Sequence, residues 1–279
     1  MACALPAEAG VPISRFSCSE LRREVINRGL VAEISGTTIW RWLHQDALRP
    51  WSRRSWIFPR DPLFAEKATA VLDLYARHWQ GQPLAPTDFV LCADEKTGLQ
   101  IRQRIHVSQP PAPGRPLRVE HEYRRRGTCA YHAAWDVHHA RLYGHVVERS
   151  TIEAFDRLVQ TVMAKEPYRS ASRVFWVVDN GTIHRGDRAV TRLRSQHPRL
   201  RLVHLPTHAS WLNQIEIYFS ILSRKALDPD DFASLEDLTQ RVLRFQHHYQ
   251  AIAKPFEWRF TRNDLHHLLR NLNVPKLAA

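Results

Sequence analysis

Apolar and polar positions recur with regular periods along this chain, and the periods predict its secondary structure. The clearest pattern is the unbroken apolar run 174–178, which is followed directly by Asp179. Because the run is short and rich in β-branched and aromatic residues, it predicts a central strand buried on both faces of a sheet. Weaker runs at 90–93 and 202–205 predict two more strands, the first of which leads into Asp94.

The rest of the pattern predicts antiparallel strands followed by alternating helices and strands. The predicted strands are 89–94, 99–107, 128–136, 142–147, 173–179 and 201–205. The predicted helices in the same part of the chain are 151–165, 187–197, 213–226, 234–250 and 261–272. This order predicts an α/β fold with a mixed sheet flanked by helices.

The first sixty residues predict a small all-α region after a disordered or truncated start at 1–13. The segment Ser17–Glu20 fits a capping box that begins one helix, and Ser35 can cap a second. Two short helices with a tight connection resemble a helix-turn-helix, although such a pair can also serve packing alone. The inward positions of the second helix are expected to be Ile39, Trp40, Leu43 and Ala47. The predicted DNA contacts on and after it are Thr38, Arg41, Gln45, Arg49, Arg53 and Arg54.

A continuous apolar stripe from Phe64 to Trp79 predicts a helix that starts at Asp61-Pro62 and ends near Gly81. We therefore expect a helix-turn-helix DNA-binding region at 1–60, a linking helix at 61–82 and a catalytic domain at 83–279.

Charge points to a polyanionic partner. The chain carries a formal charge of +12 and has a sequence pI of about 10.1, which favours binding to double-stranded DNA. Arg124 and Arg125, expected in a polar loop, join the predicted DNA contacts.

Four cysteines without paired spacing favour a reducing compartment. No apolar run reaches membrane-spanning length and no signal region begins the chain, so a cytoplasmic location without membrane contact is expected.

Three acidic residues are expected to meet at the carboxyl edge of the sheet. Asp94 and Asp179 follow two apolar strands, and Glu216 lies in a predicted helix after the third. Ligands bind at this edge in open α/β sheets. Carboxylates with retained water suit Mg²⁺, and two such ions would support in-line phosphoryl transfer. Glu95 is interpreted as an ordinary strand residue that points to the other face.

Three strings of residues carry a family resemblance. They are Val90-Leu-Cys-Ala-Asp94-Glu95, Val177-Val-Asp179-Asn180-Gly-Thr-Ile-His184 and His208-Ala-Ser-Trp-Leu-Asn213-Gln214-Ile-Glu216. Together they resemble the three blocks of DDE transposases, in the bacterial insertion-sequence branch of the mariner superfamily. The resemblance implies a ribonuclease-H-like catalytic domain, Mg²⁺ or Mn²⁺ as cofactor, and Asp94, Asp179 and Glu216 as its ligands.

The resemblance also implies a reaction and its partners. DNA is cleaved at the terminal inverted repeats of a mobile element, and the freed 3′-hydroxyl attacks target DNA. A bacterial, nucleoid-associated protein is expected, and cutting two ends together favours a homodimer on DNA. Two departures stand out: Gln214 occupies a position where proline is common, and the chain has room for one helix-turn-helix where relatives usually carry two. Either a truncated N-terminus or a wrongly assigned start codon would account for the second departure.

Other roles follow less directly from the residues. Asn180 and His184 are expected either to orient Asp179 or contact phosphate, or to be ordinary turn residues. Asn213 is expected to cap the helix that carries Glu216. A zinc site is disfavoured because the spacing of its candidate ligands is irregular. Those candidates are Cys129, His132, His138 and His139. Two other functions stay open: a DNA-binding repressor that no longer transposes, and a nuclease or resolvase of the same fold.

Overall fold

The computed structural model describes residues 1–46, 48–52, 59–181, 183–184, 187–229 and 231–272. The chain divides into two compact units, Met1–Phe58 and Pro59–Ala279. Within the described part, no helix combines the length and the apolar character needed to cross a membrane.

The first unit is built around two capped helices. A short 3₁₀ helix, Pro6–Ala9, precedes α1 (Cys18–Asn27) and α2 (Gly36–Gln45). The capping box at Ser17 is confirmed, since its hydroxyl accepts from the Glu20 amide and the Glu20 carboxylate accepts from the Ser17 amide at 2.7 Å. Four buried apolar residues from the two helices and the segment before α1 form its small core: Phe16, Leu21, Ile39 and Leu43.

Three expectations for this unit need correction. Residues 1–13 are not a disordered start, because Pro6 is buried and neighbouring apolar residues pack against the small core. The connection between α1 and α2, residues 28–35, is eight residues long and not tight. Trp40 is 48% exposed and stacks on His44 at 4.9 Å, because it lies about 100° around the helix from buried Ile39. Ala47, Arg53 and Arg54 lie outside the described residues.

The second unit contains a five-stranded sheet with helices on both faces. The strands of that sheet are β3 (Asp88–Gln103), β4 (Arg124–Asp136), β5 (Leu142–Val147), β6 (Arg173–Val178) and β7 (Leu200–His204). Two short strands, β1 (His78–Trp79) and β2 (Gln82–Pro83), form a separate two-stranded sheet. The helices of the second unit are α3 (Phe64–Tyr75), α4 (Ile152–Met163), α5 (Asp187–Gln196), α6 (Ile215–Leu222), α7 (Leu235–Ile252) and α8 (Arg262–Asn271).

The predicted mixed sheet is confirmed. Its order is β5-β4-β3-β6-β7, with β3, β4 and β5 antiparallel and with β6 and β7 parallel to β3. Side chains of β3 alternate between two cores. Val90 and Cys92 face the core formed with α3, α6 and α7, whereas Leu91 and Ala93 face the core formed with α4 and α5. The central strands are apolar on both faces because both faces are covered.

Helix α3 belongs to the core of the second unit, which corrects the expectation of a separate linking helix at 61–82. Phe64 and Val71 are buried with residues of the sheet, and the division between units falls at Phe58–Pro59. The helix ends at Tyr75, and Trp79 lies in β1. The apolar stripe correctly predicted a helix. It did not indicate that this helix packs against the sheet, which buries the stripe.

Strand β3 is a single long strand, although two strands were expected at 89–94 and 99–107. The ladder to β4 shifts register between Lys96 and Leu99, and Gly98 between them has φ +68°. This irregularity keeps the chain in the same sheet and does not end the strand. Val107 is 88% exposed and lies outside the strand, so its alternation with polar neighbours does not reflect burial.

Candidate active site

Asp94 lies in the middle of the sheet and is held by the segment before α6. Its side chain points to the α6 face, where the Asn213 amide donates to Asp94 Oδ2 at 3.3 Å and to the Ala93 carbonyl at 3.0 Å. Burial, together with the charge of Asp179, raises the pKa of Asp94 to about 7. A nearby cation would stabilise the ionised form of this carboxylate and lower its pKa.

Asp179 follows the last residue of β6, and two donors fix its carboxylate. Oδ1 accepts from the Gly181 amide at 2.8 Å and from His184 Nδ1 at 2.9 Å. The hydrogen bond from His184 is the main cause of the lowered pKa of Asp179. A β-carbon at Gly181 would lie 2.8 Å from Asp179 Oδ1, so the close approach of this backbone to the carboxylate requires glycine.

His184 links the two acidic strands from the opposite side of the sheet. Its side chain is fully buried, with Nδ1 on Asp179 and Nε2 3.8 Å from Glu95 Oε2. The ring packs edge-on against Phe155 at a centroid distance of 4.2 Å. The His184 carbonyl is 2.8 Å from His204 Nε2, which places the segment after β6 against the end of β7. This imidazole therefore has one allowed orientation.

Glu216 lies in the first turn of α6, and the start of that helix is fastened to β3. The Tyr75 hydroxyl lies 3.1 Å from the Cys92 sulfur and donates to the Leu212 carbonyl at 2.7 Å. Burial raises the pKa of Glu216, the charge of Lys96 opposes that effect and the charge of Asp179 adds to it.

The structure brings the three predicted acids to one edge of the sheet. The charge of Asp179 raises the pKa of both Asp94 and Glu216, so Asp179 lies within electrostatic range of each of them. Among the described residues, no group of three or more His, Cys, Asp or Glu side chains is already arranged to enclose an ion. As a donor set, three carboxylates fit a hard divalent cation such as Mg²⁺ or Mn²⁺.

Two neighbouring polar residues have different contacts from those expected. Asn213 does not cap α6 through its side chain, because its amide is turned toward Asp94 and Ala93. Asn180 does not contact the Asp179 carboxylate, since its amide donates to the Leu205 carbonyl and joins the ends of β6 and β7. Both side chains therefore set the spacing of the segments that carry the acids.

Sequence reasoning missed the role of Glu95. Its side chain does point to the face opposite Asp94, as the alternation predicts, but that face holds His184. Burial raises the pKa of Glu95, and its Oε2 has no hydrogen-bond partner among the described residues. A carboxylate at a buried position of a central strand was the available signal, because such groups are rarely buried without a partner.

The remaining predicted residues have varied surroundings. Arg41, Gln45 and Arg49 are exposed, and the half-buried Thr38 shares a hydrogen bond with Ser35 at 2.8 Å. Arg124 and Arg125 are exposed in strand β4 and not in a loop. The dismissed zinc ligands have separate contacts: His132 Nε2 bonds Ser150 Oγ at 3.0 Å, whereas His139 Nδ1 bonds Asp136 at 3.0 Å.

Solved structures with a similar fold include several of Mos1 mariner transposase. The Mos1 paired end complex with Mn matches at 16% identity and a TM-score of 0.54, covering 94% of this chain and 78% of that chain. The pre-cleavage Mos1 transpososome matches at 15% identity and a TM-score of 0.53, again covering 94% and 78%. The Mos1 strand transfer complex matches at 13% identity and a TM-score of 0.50, covering 94% and 77%. At these identities the likeness establishes the shared fold, and it confirms the predicted ribonuclease-H-like sheet.

Family membership follows from the sequence itself. No curated protein matches the chain significantly. The family model described as DDE superfamily endonuclease matches residues 89–239, which is more than half of the 279 residues and includes Asp94, Asp179 and Glu216. The chain therefore belongs to the DDE superfamily endonuclease family.

Proposed function

We propose that this protein is a transposase that cuts DNA at the ends of a mobile element and joins the freed 3′-hydroxyl to target DNA. The observation that carries the proposal is the electrostatic coupling of Asp179 to both Asp94 and Glu216 at one sheet edge. These are the acidic positions of the three sequence blocks, and they lie within the matched endonuclease segment. The similar Mos1 structures include a paired end complex and a strand transfer complex.

Asp94, Asp179 and Glu216 are the residues that would hold Mg²⁺ or Mn²⁺, with two ions as the proposed number. When bound, such ions stabilise the charge on the attacking and leaving oxygens of a phosphoryl displacement. The protein keeps two of these three carboxylates in place by hydrogen bonds. Asn213 donates to Asp94, and His184 and Gly181 donate to Asp179.

Recognition of DNA is proposed to involve both units. In the first unit, Thr38, Arg41, Gln45 and Arg49 lie on or just after α2, and we propose that this helix reads the terminal inverted repeats as part of a helix-turn-helix. We also propose that two copies act together on paired ends, as a homodimer associated with the nucleoid of a bacterium.

The test is strand cleavage of DNA that carries the inverted repeats flanking the gene. We expect nicking in Mg²⁺ or Mn²⁺, none in EDTA, and a loss of several orders of magnitude in Asp179→Ala. Asp156→Ala is the matched control, because Asp156 lies on α4, is paired with Arg192 on α5 and does not belong to the acidic blocks. Full cleavage by Asp179→Ala would remove the proposed role of that residue.

The same assay separates the other two functions. Binding to the repeats without cleavage in either metal would identify a DNA-binding repressor. Faster cutting of branched DNA or RNA–DNA hybrids than of linear repeats would identify a resolvase or a ribonuclease.

A further inference from the structure

Strands β3 and β4 continue well beyond the rest of the sheet. Strand β6 pairs with β3 only as far as Cys92, and β5 pairs with β4 only from Ala130. Residues 99–103 and 124–129 therefore form a two-stranded ribbon, called here the arginine ribbon. Its inner face is anchored by buried Leu99, Ile101 and Cys129. At its far end, the side chains of Arg124 and Arg125 are exposed.

Positive charge is concentrated in this ribbon and the loop that joins its strands. Residues 102–126 contain seven arginines and two glutamates, a net charge of +5 out of +12 for the chain. One of the two glutamates, Glu120, is already engaged by the backbone amides of Ile105 and His106, each at 2.9 Å. An excess of this size in one segment is the footprint of a polyanion-binding surface.

An aromatic ring organises the arginines. The guanidinium of Arg102 lies 4.9 Å from the centroid of Tyr123, and that of Arg104 lies 5.9 Å from it. The Arg104 side chain is only 7% exposed and lies 3.9 Å from Asp231, so it helps to hold the ribbon in place. Arg124 and Arg125 are exposed on the neighbouring strand, where they pair in register with Gln103 and Arg102. The phosphates of a duplex would offset the repulsion between these like charges.

The strand geometry limits the distance between the ribbon and the acidic edge. Asp94 and Arg102 are eight residues apart in β3, which corresponds to at most about 26 Å at ~3.3 Å per residue, because the register shifts shorten the strand. A duplex rises ~3.4 Å per base pair, so the same span is at most about eight base pairs. We propose that a duplex lying along β3 is bound by the arginine ribbon through its phosphate backbone, within about eight base pairs of the cleaved phosphate and without reading bases. This proposal rests on DNA cleavage as the function of the acidic edge.

The first experiment measures binding of the full chain to a 30-base-pair mixed-sequence duplex in EDTA, as a function of salt. We expect the double variant Arg124→Ala/Arg125→Ala to bind about tenfold more weakly and to lose about two from the salt slope, one for each phosphate contact. The matched control is Arg169→Ala/Arg194→Ala, which removes the same charge from exposed positions elsewhere in this unit. Thermal melting of both variants confirms that they are folded.

Two results would overturn the proposal. One is that Arg124→Ala/Arg125→Ala binds the duplex with the affinity and salt slope of the wild type. The other is that the control variant loses as much affinity as Arg124→Ala/Arg125→Ala does.

The position of the DNA is tested by replacing single phosphates with neutral methylphosphonates in a duplex that carries the flanking inverted repeat. A neutral linkage at one or more positions within about eight base pairs of the cut should slow cleavage by the wild type and not by the double variant. An effect that persists in the variant at every such position would place the DNA away from the ribbon. Failure of the wild type to cut any DNA would refute the proposed function and leave the binding result in EDTA unaffected.

Discussion

His184 Nδ1 donates to Asp179 Oδ1 at 2.9 Å, and this contact fixes the carboxylate that is coupled to both other acids. The ring cannot rotate away, because it is fully buried and packed against Phe155. Its other nitrogen faces Glu95 Oε2 at 3.8 Å. A side chain outside the acidic set thus connects the strands that carry Asp94 and Asp179.

Replacement of His184 should weaken cleavage through the orientation of Asp179. For His184→Ala we expect a 10–100-fold lower rate, in the range found for groups that orient metal ligands, and a higher Mn²⁺ concentration at half-maximal rate. His184→Asn should recover part of the activity, because its amide can also donate to the carboxylate. The check is a metal titration of the cleavage rate, with His197→Asn as control. Unchanged metal dependence in a folded His184→Ala protein would contradict this role.

Asn213 should have a similar influence on Asp94. Its amide is the side-chain donor to Asp94 Oδ2 at 3.3 Å, so Asn213→Ala leaves that buried carboxylate without the contact. We expect a 10–100-fold loss of cleavage, with partial recovery in Asn213→Gln only if the longer amide reaches the same oxygen. Rates at saturating metal, compared with circular dichroism of each variant, separate this effect from misfolding. Wild-type rates in Asn213→Ala would refute it.

Gly181→Ala should displace the Asp179 carboxylate. The added β-carbon would lie 2.8 Å from Asp179 Oδ1, closer than such contacts occur, so the side chain must turn. We expect at least a tenfold lower cleavage rate, since small misplacements at a reacting centre are costly, and little change in melting temperature. Gly36→Ala is the matched control, because a β-carbon at Gly36 has no atom within 4 Å. Equal activity of the two variants would show that the carboxylate tolerates the shift.

Gly144→Ala should lower stability and not the chemistry of the site. Its β-carbon would lie 2.6 Å from Tyr131 Cε2 and 2.7 Å from the His132 carbonyl. Tyr131 cannot move aside, as it is fully buried and its hydroxyl donates to Gln246 at 2.7 Å. We expect a loss of about 1–3 kcal/mol in the free energy of unfolding, typical of overpacking. Urea unfolding measures it, and Tyr131→Leu in the same chain should restore part of the loss.

Acid should destabilise the protein between about pH 6.5 and pH 4 through His132. Burial lowers the pKa of His132 to about 4, whereas an unfolded histidine has a pKa near ~6.5. The contribution of neutral His132 to the free energy of unfolding is therefore complete above pH 6.5. It is lost as pH falls toward 4, because in that range the unfolded chain takes up a proton that the folded chain does not. The loss is up to ~3 kcal/mol. Urea unfolding at pH 7.5 and pH 4.5 checks it, and the pH dependence should be smaller in His132→Gln.

Much of the fold could be predicted because local pattern and burial agree in the second unit. The run 174–178 is apolar on both faces, and it forms the covered central strand β6. Prediction from the apolar pattern was wrong where the structure depends on contacts with distant parts of the chain. The stripe from Phe64 to Trp79 indicated a helix, but only the sheet reveals that this helix is part of the core. Around Gly98, a change of register looked like the end of a strand.

The site shows the same division. The sequence by itself predicted the three acids, because Asp94 and Asp179 follow recognisable strands and Glu216 lies in a recognisable helix. Only the tertiary structure decided how those acids are held. Asn213 is turned to Asp94 and not to its own helix, and Glu95 meets His184 from the far face. These contacts join residues that are tens of positions apart. Their geometry depends on how the strands are ordered and how closely α6 packs, and neither quantity is encoded in any single segment of the chain.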